Sequence, residues 1–167
     1  MGCPRYIASG DIVFVPKTVS PGSEIHEQVA DNEGFFEHPA VVVRVEEGGH
    51  AIICIVTSLE GRAVDEKYHR GTKSVMEHRR RYFSILQGGH APHDDTPGLN
   101  LTDLGAKMRK PSYVNVEICY RIEIEELSKY TASSSSKKTL SLDAASLAIV
   151  EGMSPKPAFG MAQPVSA

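Results

Sequence analysis

Apolar positions along this chain gather into short, separate runs rather than into a long helical stripe. Ala40–Val45 and Ala51–Val56 are the clearest, both rich in the β-branched residues that suit a pleated, buried surface. Glu46-Glu47-Gly48-Gly49-His50 lies between them and carries two glycines able to take positive φ, so the pair predicts a tight hairpin. Neither run alternates cleanly with polar residues. That pattern predicts strands covered on both faces, or strands closed into a small barrel.

Other elements follow from the same logic. Gly10-Asp11 predicts a turn, followed by the strand Ile12–Val15 and its terminator Pro16. Residues 17–37 are polar and interrupted by Pro21, Gly22 and Gly34, which predicts a long surface loop of the kind that often binds ligands. The segment Ser74–Leu86 is ambiguous between helix and strand, with a strand favoured near Arg81–Ile85. Residues 87–98 are rich in Gly, Pro and Asp and predict a loop. Ser112–Ile122 has the best period-two alternation in the chain and predicts one continuous strand. The fold expected from these elements is mainly β, a small barrel with a few short helices.

After Tyr130 the composition changes. Thr131–Lys138 reads as a Ser-rich linker, Ser141–Glu151 as a short helix, and the Pro- and Ala-rich remainder as a disordered tail. The expected organisation is therefore a barrel domain over residues 1–130 and an appendage over 131–167. Hydrophobic content of 41% and charged content of 23% are ordinary for a globular domain of 167 residues. A net charge of -3 gives no global basic field, so any nucleic-acid surface has to be local. Cys54 and Cys119 sit inside apolar runs and read as small hydrophobes in a reducing compartment, which points to a cytoplasmic location. No apolar run reaches membrane-spanning length. Met1-Gly2-Cys3 resembles the opening of an acylated protein, but Pro4 and Tyr6 depart from the Gly-x-x-x-Ser/Thr pattern, and no lipid anchor is expected.

Three clusters carry candidate chemistry. His38 enters one hairpin strand and Thr57-Ser58 leaves its partner, so a closed sheet would bring an imidazole and a hydroxyl to one mouth. The plain alternative is a strand cap and a satisfied turn. Arg79-Arg80-Arg81-Tyr82-Phe83, joined later by Lys107, Arg109 and Lys110, offers cations beside aromatics, the combination that single-stranded nucleic acid needs, although such runs also serve as solvated surface. His90-x-x-His93-Asp94-Asp95 supplies imidazole and carboxylate donors, but a Gly- and Pro-rich loop does not preorganise them for a metal. No metal and no cofactor is expected.

The order Gly10-Asp11-Ile12-Val13-Phe14-Val15, Gly22-Ser23-Glu24, His38-Pro39-Ala40-Val41-Val42-Val43 and Cys54-Ile55-Val56-Thr57-Ser58 resembles the PemK/MazF family. The resemblance covers roughly residues 10–60 and, less closely, Ser112–Leu127. It implies an SH3-like barrel, a homodimer, and metal-independent cleavage of single-stranded RNA by 2′-hydroxyl attack. It places Glu24, Thr57 and Ser58 at catalytic positions, and His38 where the family carries an arginine before proline. From the residues alone Glu24 reads equally as a base or as a loop carboxylate. Two other classes stay open: a non-catalytic module holding a protein partner or its own tail in the barrel groove, and a small-molecule enzyme using His38 or the His90/His93 loop.

Overall fold

The computed structural model describes residues 6–29, 34–131 and 138–155. The central hairpin forms where the pattern placed it: β2 spans His38–Glu46, β3 spans His50–Thr57, and Gly48 and Gly49 take φ of 86° and 81° in the turn. The pair is antiparallel from Ala40 opposite Ile55 to Glu46 opposite His50, with a register shift between Val42 and Arg44. The shift is a bulge, which bends the strand and breaks its alternation. The first strand, β1 (Ile12–Val15), pairs antiparallel with the start of β2, Val15 facing His38.

The single strand expected over Ser112–Ile122 is two. β5 (Tyr113–Asn115) pairs with the end of β3, and β6 (Tyr120–Glu123) pairs with its beginning. The break comes at Asn115, whose side-chain oxygen accepts the Glu117 amide at 2.9 Å, a local turn bond that competes with the ladder. The ambiguous stretch resolves into both options. A helix, which we call α3, covers Lys73–Arg79 with Thr72 as N-cap, its hydroxyl accepting the Val75 amide; a short strand, β4 (Tyr82–Ser84), then pairs with β5. Two shorter helices precede it in the chain, α1 (Ile25–Gln28) inside the expected long loop and α2 (Val64–Lys67) after the hairpin. The two-residue β7 (Ser128–Lys129) pairs with β1.

These seven strands form one antiparallel sheet with the path β4-β5-β3-β2-β1-β7 and β6 alongside β3. The mainly β expectation holds; the closed barrel does not. Among the described residues no ladder joins the two ends of the path. Closure fails because β7 is too short to extend the edge and because Ile124–Glu126, leading into it, is a 3-10 turn rather than a strand.

Both faces of the hairpin are covered, as its apolar runs require. One face holds Val13, Val15, Ile25, Phe35, Val42, Ile53, Ile122 and Leu127. The other holds Ile12, Val41, Cys54, Val56, Phe83, Ile85 and Leu99, and here the C-terminal segment contributes Leu140, Leu142 and Val150. The helix expected over Ser141–Glu151 is α4 (Ala144–Met153), N-capped by Asp143, whose side chain accepts the Ser146 amide at 2.8 Å, and it runs through Gly152 instead of stopping there. The described part of the C-terminal segment therefore packs onto the sheet through Leu140, Leu142 and Val150, which are 2%, 4% and 0% exposed, instead of standing apart from it. Most of the linker, the distal tail and the N-terminal acylation motif lie outside the described residues. Among those described, no helix is long and apolar enough to cross a membrane.

Candidate functional site

At the end of the hairpin remote from its turn, a cleft of about 300 Å³ opens between strands and loops; its walls include Phe14, His38, Ser58, Arg109, Lys110 and Tyr130. Each wall has a local cause. Phe14 lies opposite Pro39 across the β1–β2 ladder, His38 is the first residue of β2, and Ser58 follows the last residue of β3. The 109–112 segment enters β5, and Tyr130 follows β7. Strand ends leave backbone and side chains unsatisfied by the ladder, so polar groups collect here.

His38 Nδ1 lies 2.9 Å from the Phe36 carbonyl oxygen. A carbonyl only accepts, so Nδ1 carries the proton and Nε2 of the neutral ring keeps its lone pair. Arg109 is held in place from one side: Nε donates to the Thr131 carbonyl at 2.9 Å, an Nη donates to the Thr131 hydroxyl at 3.1 Å, and the guanidinium sits 5.4 Å from the Tyr130 ring centre. Lys110 is exposed and has no ion-pair partner among the described residues. Glu37, also on the wall, is the one acidic side chain of the cleft. One anchored guanidinium, an exposed ammonium, an imidazole, a serine hydroxyl and aromatic rings make a site suited to an anion that carries a flat, stackable group.

The expected partners of His38 separate. Thr57 does not line the cleft, whereas Val56 and Ser58 do. Side chains alternate along a strand, so the two neighbours of Thr57 face the cleft and Thr57 faces away, its hydroxyl accepting the Leu59 amide at 3.2 Å. Glu24 lies at the hairpin's other end, where Arg121 bridges it (2.5 Å) to Glu46 (2.8 Å) and His50 approaches it at 3.7 Å. The nine residues of β2 rise about 3.3 Å each, so its ends are roughly 25 Å apart. Glu24 is thus a carboxylate that docks α1, as is Glu123, which accepts the Ser23 hydroxyl at 2.5 Å and the Glu24 amide at 3.1 Å. Arg121 holds the Glu46 carboxyl below its usual range.

The basic run also divides. Arg79 is 0% exposed. Its Nε donates to Asp94 at 2.7 Å and its Nη groups to Asp65 and the Tyr68 carbonyl. Arg79 is the last residue of a helix whose inner face also carries Val75 and Met76, and the helical period turns it inward. Arg80 and Arg81 remain exposed, but away from the cleft, Arg80 lining a separate hollow beside α4. Tyr82 is buried, its hydroxyl 3.3 Å from His78 Nε2 and 3.4 Å from that of Tyr68. Burial pushes the Tyr82 hydroxyl up, so it stays protonated at neutral pH. Lys107 is exposed and does not line the cleft. Of the expected nucleic-acid residues, Arg109 and Lys110 join His38 at the cleft. Phe14 and Tyr130, the aromatic walls, had no sequence signal, because strand pairing alone brings them there.

The His90–Asp95 loop is a structural knot. His93 Nε2 lies 2.9 Å from the Tyr82 carbonyl and Nδ1 3.2 Å from Asp94, whose other contacts are Arg79 and, at 3.3 Å, Arg70. Asp94 and Asp95 both take positive φ, 48° and 60°, and these bonds hold Asp94 there. Arg79 holds the Asp94 carboxyl below its usual range. Among the described residues no group of three or more His, Cys, Asp or Glu side chains is arranged to hold a metal ion. No family model matches the chain, and no curated protein and no solved structure matches it.

Proposed function

We propose that this chain is a PemK/MazF-like module that binds single-stranded RNA in the cleft walled by His38, Ser58, Arg109, Lys110 and Tyr130. The observation that carries the reading is the convergence of two cations, an imidazole and aromatic rings at one strand-end cleft. Phosphates would sit against Arg109 and Lys110, with a base against Tyr130 or Phe14. The family's arginine is absent at position 38, and Arg109 and Lys110 supply the missing positive charge from across the cleft. An SH3-like ancestry finds support in the strand sequence: β1, β2, β3 and β6 meander around one core, a 3-10 turn follows, and β7 returns to β1. That is the order of a small barrel opened at one seam.

Within this reading His38 Nε2 takes the proton of a ribose 2′-hydroxyl as that oxygen attacks the adjacent phosphorus. The bond to the 5′-oxygen breaks, leaving a cyclic phosphate and, after protonation from solvent, a 5′-hydroxyl. Arg109 and Lys110 stabilise the added negative charge on phosphate. Ser58 orients a non-bridging oxygen.

The test is fluorescence anisotropy with labelled single-stranded RNA across a salt series. Exchanging Arg109 and Lys110 for Ala should weaken binding at least tenfold and flatten the salt dependence, while Arg80→Ala/Arg81→Ala leaves both unchanged. RNA binding that ignores Arg109 and Lys110 would end the proposal. Cleavage is read separately, on long RNA with chelator present: RNA that stays intact at enzyme excess removes the catalytic step and leaves the binding site.

A further inference from the structure

Cys54 and Cys119 take no part in the cleft, and their arrangement points to chemistry of its own. The β3–β6 ladder ends with Ile53 opposite Tyr120, so the next position sets Cys54 directly across from Cys119. Antiparallel opposites have Cα atoms about 4.5–5.5 Å apart, inside the window of about 4.4–6.8 Å that a disulfide spans. The two sulfurs are already in contact at 3.3 Å, and both thiols are free. From the register and the sulfur contact we propose that Cys54 and Cys119 are a reversible dithiol–disulfide pair, a redox modification site that locks the middle of β3 to the residue entering β6.

The surroundings fit that role. Ser154, just past α4, lies 3.3 Å from the Cys54 sulfur through its Oγ, and its own proton is committed to the Val150 carbonyl at 2.6 Å. Toward the sulfurs it is therefore an acceptor, and it keeps the last turn of α4 over Cys54. Cys119 is approached from the other direction: it is 4% exposed, and the preceding Ile118 is 49% exposed. The hydrogen bond from Cys54 lowers the Cys119 thiol to about 7, and the same bond holds the proton on Cys54 and raises its thiol well above the usual value. Arg44 adds a favourable charge on the Cys119 side. Cys119, the less buried of the two at 4% exposed against 0% and next to the exposed Ile118, is the nucleophile, and Cys54 behind it is the resolving thiol.

With a hydroperoxide as oxidant the step balances. The Cys119 thiolate attacks the hydroperoxide oxygen, the O–O bond breaks, and the alkoxide leaves and is protonated, giving a sulfenic acid and an alcohol. The Cys54 sulfur then attacks the sulfenic sulfur, the S–S bond forms, and the displaced hydroxide takes the Cys54 proton and leaves as water. Two electrons pass from the sulfurs to the peroxide. A dithiol reductant restores both thiols by exchange.

The experiment uses the full chain carrying Cys3→Ser, so that only these two thiols remain. It is titrated with hydrogen peroxide and read by free-thiol count, intact mass and peptide mapping. The expected result is loss of both thiols together, loss of two hydrogens in mass, one Cys54–Cys119 cross-linked peptide, recovery with dithiothreitol, and a higher melting temperature for the oxidised form. Thiols that survive peroxide excess, or one sulfur carried on to sulfinic acid with no cross-link, would overturn the proposal. Cys119→Ser is the second variant: Cys54 should then lose its peroxide reactivity at least tenfold, and unchanged reactivity would refute the assignment of Cys119 as the nucleophile. Neither result bears on RNA binding, so this inference stands or falls apart from the cleft.

Discussion

Replacing Arg79 with Met tests the claim that the basic run is anchored inside the protein rather than displayed on it. The Arg79 side chain is 0% exposed and that of Asp94 2%, so the substitution strands a carboxylate that water cannot reach. Breaking a buried pair by removing one partner costs about 3–5 kcal/mol. Asp94 keeps Arg70 at 3.3 Å and His93 at 3.2 Å, which moves the expectation to the lower end, about 3 kcal/mol. Asp65 adds little to the sum, because its side chain is 60% exposed and is rehydrated when the arginine goes. For a domain of this size about 3 kcal/mol corresponds to a fall of roughly 6–12 °C in melting temperature. Adding Asp94→Asn removes the stranded charge, and asparagine tolerates the positive φ at that position, so the double variant should recover more than half of the loss. The assay is urea denaturation of the wild type, both singles and the double, analysed as a cycle. A loss below about 1 kcal/mol for Arg79→Met, or a double variant worse than the sum of the singles, would refute the buried-pair argument and return Arg79 to the list of surface cations.

Further outcomes follow from other sites. Leu142→Ala should cost about 2–4 kcal/mol in the same assay, because Leu142 sits in the core with Val41 and Leu101; a cost under about 1 kcal/mol would show that the C-terminal segment is dispensable. Gly89→Ala should be severe and Gly98→Ala mild: the first puts a methyl into the Ile85 carbonyl oxygen, the second meets only the partly exposed Leu86 side chain at 2.7 Å. Equal melting temperatures for the two would contradict that geometry. Arg121 holds Glu46 below its ordinary value of 4.5, so this pair's contribution is fully present at neutral pH and is lost as pH falls through the depressed folded value. In Arg121→Met the neutral plateau should drop and the acid limb of the stability curve should become shallower; an unchanged curve would mean that the bridge to Glu24 and Glu46 carries nothing.

What the sequence determined by itself was the local structure. Strand propensity, a two-glycine turn and runs too apolar for a half-exposed sheet were enough to set the hairpin, its boundaries and its burial on both faces, because those properties act between near neighbours. The strand at Ile12–Val15 and a helix beyond residue 141 were legible for the same reason. Tertiary structure alone decided the rest. Asn115 broke the most regular strand with one side-chain bond, a short β7 left the sheet open, and helical phase drew Arg79 inside while Arg80 and Arg81 stayed out. The cleft itself unites β1, the open end of the hairpin, the 109–112 segment and Tyr130. Contacts between residues so far apart depend on how the sheet is paired, and no local pattern of side chains encodes that.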